Sequence, residues 1–507
     1  MSNHLFGAIA AVAARAGEAP FLETAGGVLT YRDMLETSGR LAARLLALGV
    51  EPGDRVAAQV EKSPEALMLY LATVRAGAVY LPLNTAYTLA ELDYFVGDAE
   101  PALVVCDPRA EAGLAPIAAR VGARVATLDA AGAGSLTADL PGEPAAPVDR
   151  GSDDLAAILY TSGTTGRSKG AMLSHGNLLS NAETLAAEWR FTAEDRLIHA
   201  LPIFHTHGLF VAGNVVLVSG ASMIFLPKFD ADEVIGLMGR ATTMMGVPTF
   251  YTRLIQHPGL TREATAGMRL FTSGSAPLLA ETHRRFEERT GHRILERYGM
   301  TETNMNTSNP YDGERIAGTV GFPLPGVDLR ITDPDSGEPL GAETVGMIEV
   351  KGPNVFAGYW RMPEKTKAEF RDDGFFITGD LGKIDAAGYV HIVGRGKDLV
   401  ISGGYNIYPK EVESEIDAIP GVVESAVIGL PHPDFGEGVT AVVVRAAGAS
   451  LDEKAIRDAL KDRLARYKQP KRVLFVDDLP RNTMGKVQKN LLRDAYADLY
   501  AGETAGA

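Results

Sequence analysis

The sequence predicts an α/β protein built from several units, because two patterns divide its 507 residues. Amphipathic helices alternate with short apolar strands up to about residue 319, which is typical of parallel sheets covered by helices. Short strands and turns then replace the alternation, and a final stretch of roughly a hundred residues has the size of a separate α+β domain. A chain of this length is too long for one compact core.

The alternation is clearest in the first 150 residues. Helical periodicity spans Tyr31 to Leu48 and Pro64 to Ala76, and each helix precedes an apolar strand, at Arg55 to Val60 and Val79 to Pro82. The stretch from Asp129 to Asp153 is rich in Ala, Gly and Pro and is predicted to be a surface connection. This part therefore predicts one αβ-layered subdomain.

A second αβ-layered subdomain is predicted to run to about Thr319, and residues 320–394 form a small β-rich subdomain with a strand at Gly346 to Lys351. The glycines Gly394 and Gly396 suit a hinge before the C-terminal module. We predict a large N-terminal domain over residues 1–394, a hinge over 395–398 and a mobile α+β domain over 399–507.

The composition predicts a folded cytoplasmic protein. A net charge of −15 opposes binding to nucleic acid or to an anionic membrane. The single cysteine, Cys106, is predicted to lie in the core, and Met1 to Phe6 lacks the basic start of a secretion signal. The uncharged run from Gly208 to Leu226 is interrupted by Gly and Ser, so we predict a buried helix and strand rather than a membrane span.

The most informative stretch is the loop Thr161 to Gly170, which follows an apolar strand over Leu155 to Tyr160. Its glycines let backbone N–H groups approach phosphate oxygens, while its hydroxyls and Lys169 add donors and charge. No Gly-Lys pair of the chain has the upstream glycine that a Walker loop requires. The loop therefore predicts a polyphosphate site, and a flexible linker is the alternative.

These ten residues resemble the signature loop of the adenylate-forming superfamily, which includes acyl-CoA synthetases, luciferases and peptide-synthetase adenylation domains. Further motifs follow in the superfamily's order. The resemblance implies that ATP with Mg²⁺ activates a carboxylate as an acyl-adenylate, and that the thiol of coenzyme A then displaces AMP. It implies nucleotide-binding roles for Thr161, Ser162, Gly163, Thr164, Thr165, Gly166, Lys169, Gly274, Ser275, Ala276, Pro277, Glu296, Arg297, Tyr298, Gly299, Thr301, Asp380 and Arg395.

The resemblance also implies the catalytic groups. Glu302 would hold Mg²⁺, Thr161 would contact the phosphates, and Lys486 would bridge the attacking carboxylate and the α-phosphate. After rotation about Lys397 or Asp398, a second set of residues would serve thioester formation: Ser402, Gly403, Gly404 and Tyr405. An ordinary linker and solvated side chains are the alternatives for these residues.

Three segments carry a narrower resemblance, to malonyl-CoA synthetases, which also accept methylmalonate: Ala200 to Gly208, Gly274 to Arg284 and Glu302 to Asn306. It implies a dicarboxylate substrate. Arg284 is our candidate for the unreacted carboxylate, because its planar fork suits a bidentate contact. A surface ion pair with Glu281 or Glu288 is the alternative.

His207 and Met305 are predicted to border the acyl pocket. The trio His199, His205 and His207 has no neighbouring Cys or carboxylate to complete a zinc site. Two other functions stay open, namely ligation of another short-chain or aromatic acid and non-catalytic nucleotide binding. Lys486 is a candidate target of a protein lysine acetyltransferase and deacetylase, because acylation would remove its charge.

Overall fold

The computed structural model describes residues 3–161, 168–402, 405–461, 463–482 and 485–501. It confirms the α/β fold class. In this part of the chain the α-helices are α1 His4–Ala16, α2 Tyr31–Ala47, α3 Pro64–Arg75, α4 Leu89–Ala99, α5 Glu111–Arg120, α6 His175–Glu188, α7 Asn214–Ser219, α8 Ala231–Leu237, α9 Pro248–Gln256, α10 Ala280–Thr290, α11 Pro363–Ala368, α12 Pro409–Asp417, α13 Glu453–Leu460 and α14 Lys489–Ala495.

Four sheets contain the strands. In chain order the strands are β1 Pro20–Thr24, β2 Gly27–Thr30, β3 Arg55–Gln59, β4 Val79–Pro82, β5 Leu103–Cys106, β6 Arg124–Thr127, β7 Leu155–Thr161, β8 Lys169–Ser174, β9 Arg196–His199, β10 Ser222–Phe225, β11 Thr243–Gly246, β12 Leu270–Ser273, β13 Leu295–Met300, β14 Asn304–Ser308, β15 Phe322–Pro323, β16 Asp328–Thr332, β17 Gly346–Lys351, β18 Gly358–Tyr359, β19 Phe376–Ile384, β20 Val390–Arg395, β21 Val400–Ser402, β22 Tyr405–Ile407, β23 Val422–His432, β24 Gly436–Arg445 and β25 Arg472–Val476.

Two large sheets form the N-terminal part. One has the order β18-β8-β7-β4-β3-β5-β6, and the other has the order β15-β14-β13-β12-β11-β9-β10-β1-β2. The central strands of both sheets run parallel, and antiparallel strands lie at their edges. Parallel sheets of this kind bind ligands beyond the carboxyl ends of their strands, which places the site there.

Local signals explain why the predicted elements form. Helix α2 begins with a capping box between Thr30 and Asp33, and α3 begins with a Ser63 cap followed by Pro64. The helices predicted there end one residue early in the structure, and the strand predicted to reach Val60 ends at Gln59. Cys106 is buried in β5, as predicted.

The uncharged run after residue 207 forms a helix and a strand, as predicted, but its first turns are a π-helix, His207–Gly213. Periodicity did not predict the π-helix, a rare form that often marks a functional site. No helix in the described ranges is long and apolar enough to span a membrane. The 3₁₀ turns are Met238–Arg240, Gly396–Asp398 and Arg466–Lys468.

The β-rich region forms an antiparallel sheet in the order β16-β17-β19-β20. Its short strand β18 instead pairs with β8, the strand that leaves the phosphate-binding loop. The C-terminal residues form a fourth sheet, in the order β22-β21-β24-β23 with β25 beside β24. Gly485 of this last module lies against Thr249 at the start of α9, so the module covers the carboxyl edge of the larger sheet.

Candidate functional site

Three residues predicted to bind the nucleoside meet at one place. The Tyr298 hydroxyl donates to Asp380 Oδ2 at 2.6 Å, and Arg395 Nε lies 2.7 Å from Asp380 Oδ1. Register explains the second contact, because Asp380 and Arg395 face each other across β19 and β20. A buried carboxylate beside an aromatic ring is suited to the two hydroxyls of a ribose and to the adjoining base.

The phosphate-binding loop lies between two paired strands, β7 and β8. Thr161 ends the first strand and Lys169 begins the second, and the two residues are register partners. The predicted ligands Ser162, Gly163, Thr164, Thr165 and Gly166 lie outside the described residues, as do Gly403 and Gly404. Tyr94 donates to the Ser168 carbonyl oxygen at 2.7 Å and anchors the end of the loop.

Lys169 and Glu302 belong to one hydrogen-bonded network. Lys169 Nζ lies 2.9 Å from Glu369 Oε1, and the Tyr359 hydroxyl lies 2.6 Å from Glu369 Oε2 and 3.0 Å from Glu302 Oε1. Burial raises the pKa of the Glu302 carboxyl. The network therefore connects the phosphate side of the cleft to the predicted metal ligand.

The residues fit Mg²⁺. The ion prefers one or two carboxylates together with substrate phosphates, and Glu302 supplies a buried carboxylate near the Thr161 and Lys169 strands. In the described parts of the chain no group of three or more His, Cys, Asp or Glu side chains could hold a metal. Glu302 and the phosphates would hold Mg²⁺, which would neutralise phosphate charge when bound.

A buried arginine faces the opposite side of β13 from Tyr298. Arg297 is 4% exposed, its Nε and Nη2 have no hydrogen-bond partner, and it forms no ion pair with a described residue. A side chain at Gly274 would meet the guanidinium at 2.0 Å, so this glycine is needed for the close approach. Burial lowers the pKa of Arg297 to about 9, which leaves it charged at neutral pH.

Other buried residues also carry unpaired polar atoms. His207 Nδ1 shares a hydrogen bond of 3.1 Å with Ser275 Oγ. The other ring nitrogen, Nε2, is buried and has no partner among the described residues. Thr206 Oγ1 and Ser273 Oγ are also buried and unpaired. Burial, then Arg297, lowers the pKa of His207 well below its usual value, so the ring is neutral. We call the buried residues Arg297, His207, Thr206 and Ser273 the acyl pocket, after the role that the sequence predicted for His207.

Met305 is buried beside Gly299, where a side chain would meet the Met305 methyl carbon at 2.6 Å. In the adjoining cleft Ser275 and Ala276 are half-buried, Pro277 is exposed, and Thr301 is half-buried. Ser275 has a φ of +71°, a left-handed conformation rare outside glycine and typical of functional loops.

Arg284 lies on the surface and not in the acyl pocket, where its predicted role would place it. It is 63% exposed on α10 and pairs with Glu281, which is the surface alternative that the sequence left open. The helical period explains the exposure of Arg284, because the buried face of α10 carries Thr282, His283 and Phe286. Glu296 is buried too, but it accepts from the Gly318 amide at 3.2 Å and lies 3.6 Å from His283 Nδ1.

Lys486 approaches the site from the C-terminal module. Its loop is closed by hydrogen bonds, because the Lys486 amide donates to Asn482 Oδ1 at 2.9 Å and Arg481 Nη1 donates to the Gly485 carbonyl oxygen at 2.7 Å. Burial in the crowded cleft, then the charge of Arg395, lowers the pKa of Lys486 to about 8, although the side chain remains open to solvent. Burial, Arg297 and Lys486 lower the pKa of His205 to about 4. The charge of Lys486 therefore interacts with Arg395 on one side and with His205 on the other.

The predicted hinge residues form a 3₁₀ turn after β20. Asp398 pairs with Arg493 of α14 in the C-terminal module, while Lys397 is exposed. Ser402 is buried at the end of β21, and Tyr405 is 56% exposed and stacks on Tyr467 with ring centres 4.6 Å apart.

The fold and this site define an adenylate-forming enzyme. The model of the family described as AMP-binding enzyme matches residues 9–360, and the model of the AMP-binding enzyme C-terminal domain matches residues 411–486. The chain belongs to the AMP-binding enzyme family. It is therefore a ligase fold whose family uses ATP, Mg²⁺ and an acyl-accepting thiol.

Individual relatives match over nearly the whole chain. A crystal structure of ATP-bound MatB from Rhodopseudomonas palustris superposes with a TM-score of 0.96, at 66% identity over 99% of this chain and 100% of that chain. Its apo structure, at 67% identity and the same coverage, gives 0.86, so the domain arrangement is more similar to the ATP-bound form. A feruloyl-CoA synthase of Amycolatopsis is 39% identical, covering 93% of this chain and 94% of the relative. A malonate–CoA ligase of Arabidopsis thaliana is 36% identical, covering 92% and 82%.

The sequence analysis did not single out two residues of the hydrogen-bonded network around Lys169. Tyr359 and Glu369 lie far from the phosphate-binding loop in sequence, and no local pattern connects them to it. Arg297 was assigned to the nucleotide, and that role stays a prediction. No signal in β13 marked Arg297 as unpaired, because the strand also contains Glu296.

Proposed function

We propose that this enzyme ligates malonate to coenzyme A through a malonyl-adenylate, with release of pyrophosphate and then AMP, and that methylmalonate is also a substrate. One observation carries the choice of acid: a buried arginine without an anionic partner lies in the acyl pocket. An unpaired buried charge is costly, so its partner must come from the substrate. An acid with a second carboxylate supplies one, because its other carboxylate is consumed in the adenylate.

Arg297 is the best-placed partner for that second carboxylate. Its two unpaired N–H groups can donate in parallel to two carboxylate oxygens, and neutral His207 can add a third donor through Nε2. Arg284 would first have to leave Glu281 and turn inward. Met305, an unbranched and adaptable side chain at the pocket wall, would meet a methyl group on the central carbon of the substrate.

In the first step the reacting carboxylate of the acid attacks the α-phosphorus of ATP, and pyrophosphate leaves. Tyr298 and Asp380 position the nucleoside, and Lys486 stabilises charge between the carboxylate and the α-phosphate. Glu302 would hold Mg²⁺ on the phosphates. No protein nucleophile is needed, because positioning and electrostatics supply the catalysis.

In the second step the thiolate of coenzyme A attacks the acyl carbonyl carbon, and AMP leaves with the electrons of the broken C–O bond. We infer that the C-terminal domain rotates about Lys397 or Asp398 and brings Ser402 and Tyr405 to the adenylate. An exposed face of this domain supports the inference, because stacked Tyr405 and Tyr467 adjoin Lys468, and Lys471 lies over Phe435. Aromatic faces with cations suit an adenine and its phosphates.

The relatives support malonate, because MatB, a malonyl-CoA synthetase, is 66% identical over 99% of this chain and two malonate–CoA ligases are each 36% identical. A feruloyl-CoA synthase at 39% identity leaves an aromatic acid as the other candidate. The alternative is therefore a ligase for a short-chain or aromatic acid. A bulky aromatic acid would leave Arg297 unpaired, which disfavours it. A non-catalytic nucleotide-binding protein would have no use for a lysine whose charge interacts with both Arg395 and His205.

The test is acid-dependent AMP formation with coenzyme A across malonate, methylmalonate, acetate, octanoate, benzoate and ferulate. Malonate and methylmalonate should give kcat/KM values at least about a hundredfold above the monoacids, since losing one partner of a buried charge pair costs several kcal/mol. A preference for a monoacid would refute the proposed substrate class. Absence of AMP with every acid would favour the non-catalytic function.

We further propose that the enzyme acts in the cytoplasm and that acylation of Lys486 regulates it. An acylated amine carries no charge, so adenylation should stop while thioester formation continues. Incubation with a protein lysine acetyltransferase, followed by a deacetylase, tests this through loss and recovery of pyrophosphate release. Normal adenylation by enzyme fully acetylated at Lys486 would contradict it.

A further inference from the structure

Glu369 lies against the phosphate-binding loop, although it is 200 residues from Lys169 in sequence. The side chains of Lys169 and Glu369 are 19% and 20% exposed, and their charged groups are 2.9 Å apart. The Lys169 ammonium also lies 4.0 Å from the centre of the Tyr359 ring. Lys169 is therefore neutralised before any phosphate is present.

Backbone pairing fixes this arrangement. Strand β18 pairs with β8, and the Trp360 amide donates to the Gly170 carbonyl oxygen at 2.8 Å. Helix α11 then reverses the chain, and the Tyr359 amide donates to Thr366 Oγ1 at 2.9 Å. Glu369 follows directly after α11, so it returns to the loop in a defined position rather than by a chance surface contact.

Glu369 also has partners that do not depend on Lys169. The Tyr359 hydroxyl lies 2.6 Å from its Oε2, and Lys365 Nζ lies 2.9 Å from its Oε1. If Lys169 moved to a phosphate, Glu369 would keep a hydroxyl donor and an ammonium. The exchange would therefore leave no partly buried carboxylate without a partner.

We propose that Glu369 is a positioning residue that competes with polyphosphate for Lys169. It holds the ammonium at the loop in the empty enzyme, gives it up when ATP binds, and takes it back as pyrophosphate leaves. The competition weakens polyphosphate binding and assists product release. The role in release rests on the proposed function, whereas the competition for binding does not.

The test is equilibrium binding of Mg·ATP and of Mg·pyrophosphate, measured by calorimetry without acid or coenzyme A. Glu369→Gln should bind both ligands about three- to tenfold more tightly than the wild type, because one competing ion pair is lost. Glu364→Gln is the matched control, since it removes the same charge from an exposed position on α11. The control should bind both ligands as the wild type does.

A second variant tests the opposite direction. Lys365→Met removes the alternative partner of Glu369 and should weaken ATP binding about twofold more than Lys367→Met, an exposed lysine of the same helix. Unchanged or weaker binding of both ligands by Glu369→Gln would overturn the proposal, as would equal affinities of the two lysine variants. Failure of the proposed function would appear separately, as wild-type enzyme that binds ATP but activates no dicarboxylate.

Discussion

The acyl pocket and the network of Lys169, Tyr359, Glu369 and Glu302, which we call the phosphate network, each contain a cation. Among the residues that the structure describes, only the cation of the phosphate network has an anionic partner. Arg297 is buried without an anionic partner, whereas Lys169 is paired with Glu369 at 2.9 Å. A site that leaves a buried charge unpaired gains most from a ligand with the missing charge, while a paired cation must first give up its partner. The comparison indicates strong selectivity for the acid and easy release of the phosphates.

The largest effect should follow from Arg297→Met, which removes the unpaired cation at similar length. We expect kcat/KM with malonate to fall by about two to four decades, because the second carboxylate loses its buried partner. Activity with acetate, which has no second carboxylate, should change little. Steady-state kinetics with both acids give the measurement.

The stability of the same variant provides a control for misfolding. Removing an uncompensated buried charge should leave the thermal midpoint of the empty enzyme unchanged or higher. Equal losses with malonate and acetate, together with a lower midpoint, would show that Arg297 supports the fold rather than the substrate. The contrast between the two regions would then fail.

Lys486→Ala should have the next largest effect, because this cation serves both regions at once. Acid-dependent exchange of pyrophosphate into ATP should fall by about two to three decades, the usual cost of one electrostatic contact in a transition state. Thioester formation from supplied malonyl-adenylate should stay within about threefold of the wild type. Equal losses in both half-reactions would exclude a role confined to adenylation.

The sequence predicted the fold well where local signals decide it. The periodicity and the alternation of helix and strand gave boundaries of α2 and α3 within one residue, and caps mark both starts in the structure. Turn and cap chemistry acts over a few residues, so one chain shows it directly. The sequence did not predict the π-helix, because its apolar residues have no period that distinguishes it from an α-helix.

The motifs of the sequence predicted that residues from separate segments share one site. Tyr298, Asp380 and Arg395 meet as the order of motifs implied. The sequence assigned the second carboxylate to Arg284 and the nucleotide to Arg297. Burial separates them, and burial depends on the packing of α10 and β13, which sequence spacing does not reveal.

The pH dependence of adenylation sharpens the role of Lys486. Burial and then Arg395 lower its pKa to about 8, so the ammonium form is lost as the pH rises through that value. Pyrophosphate exchange should decline above about pH 8, by up to tenfold per unit, while thioester formation should not follow the same curve. Lys486→Arg keeps its charge, and its profile should stay flat to higher pH. An identical decline in that variant would assign the titration to another group.

The smallest effect should follow from Arg284→Ala, which removes an exposed ion pair. Surface pairs contribute about 0 to 1 kcal/mol, so kcat/KM should change by less than about fivefold, and equally for malonate and acetate. The measurement is the same two-acid kinetics used for Arg297→Met. A loss of about two decades confined to malonate would mean that Arg284 leaves Glu281 and turns into the pocket on substrate binding. Arg297 would then pair with a group other than the second carboxylate in the closed enzyme. The contrast between the unpaired Arg297 and the paired Lys169 would hold only for the enzyme without substrate.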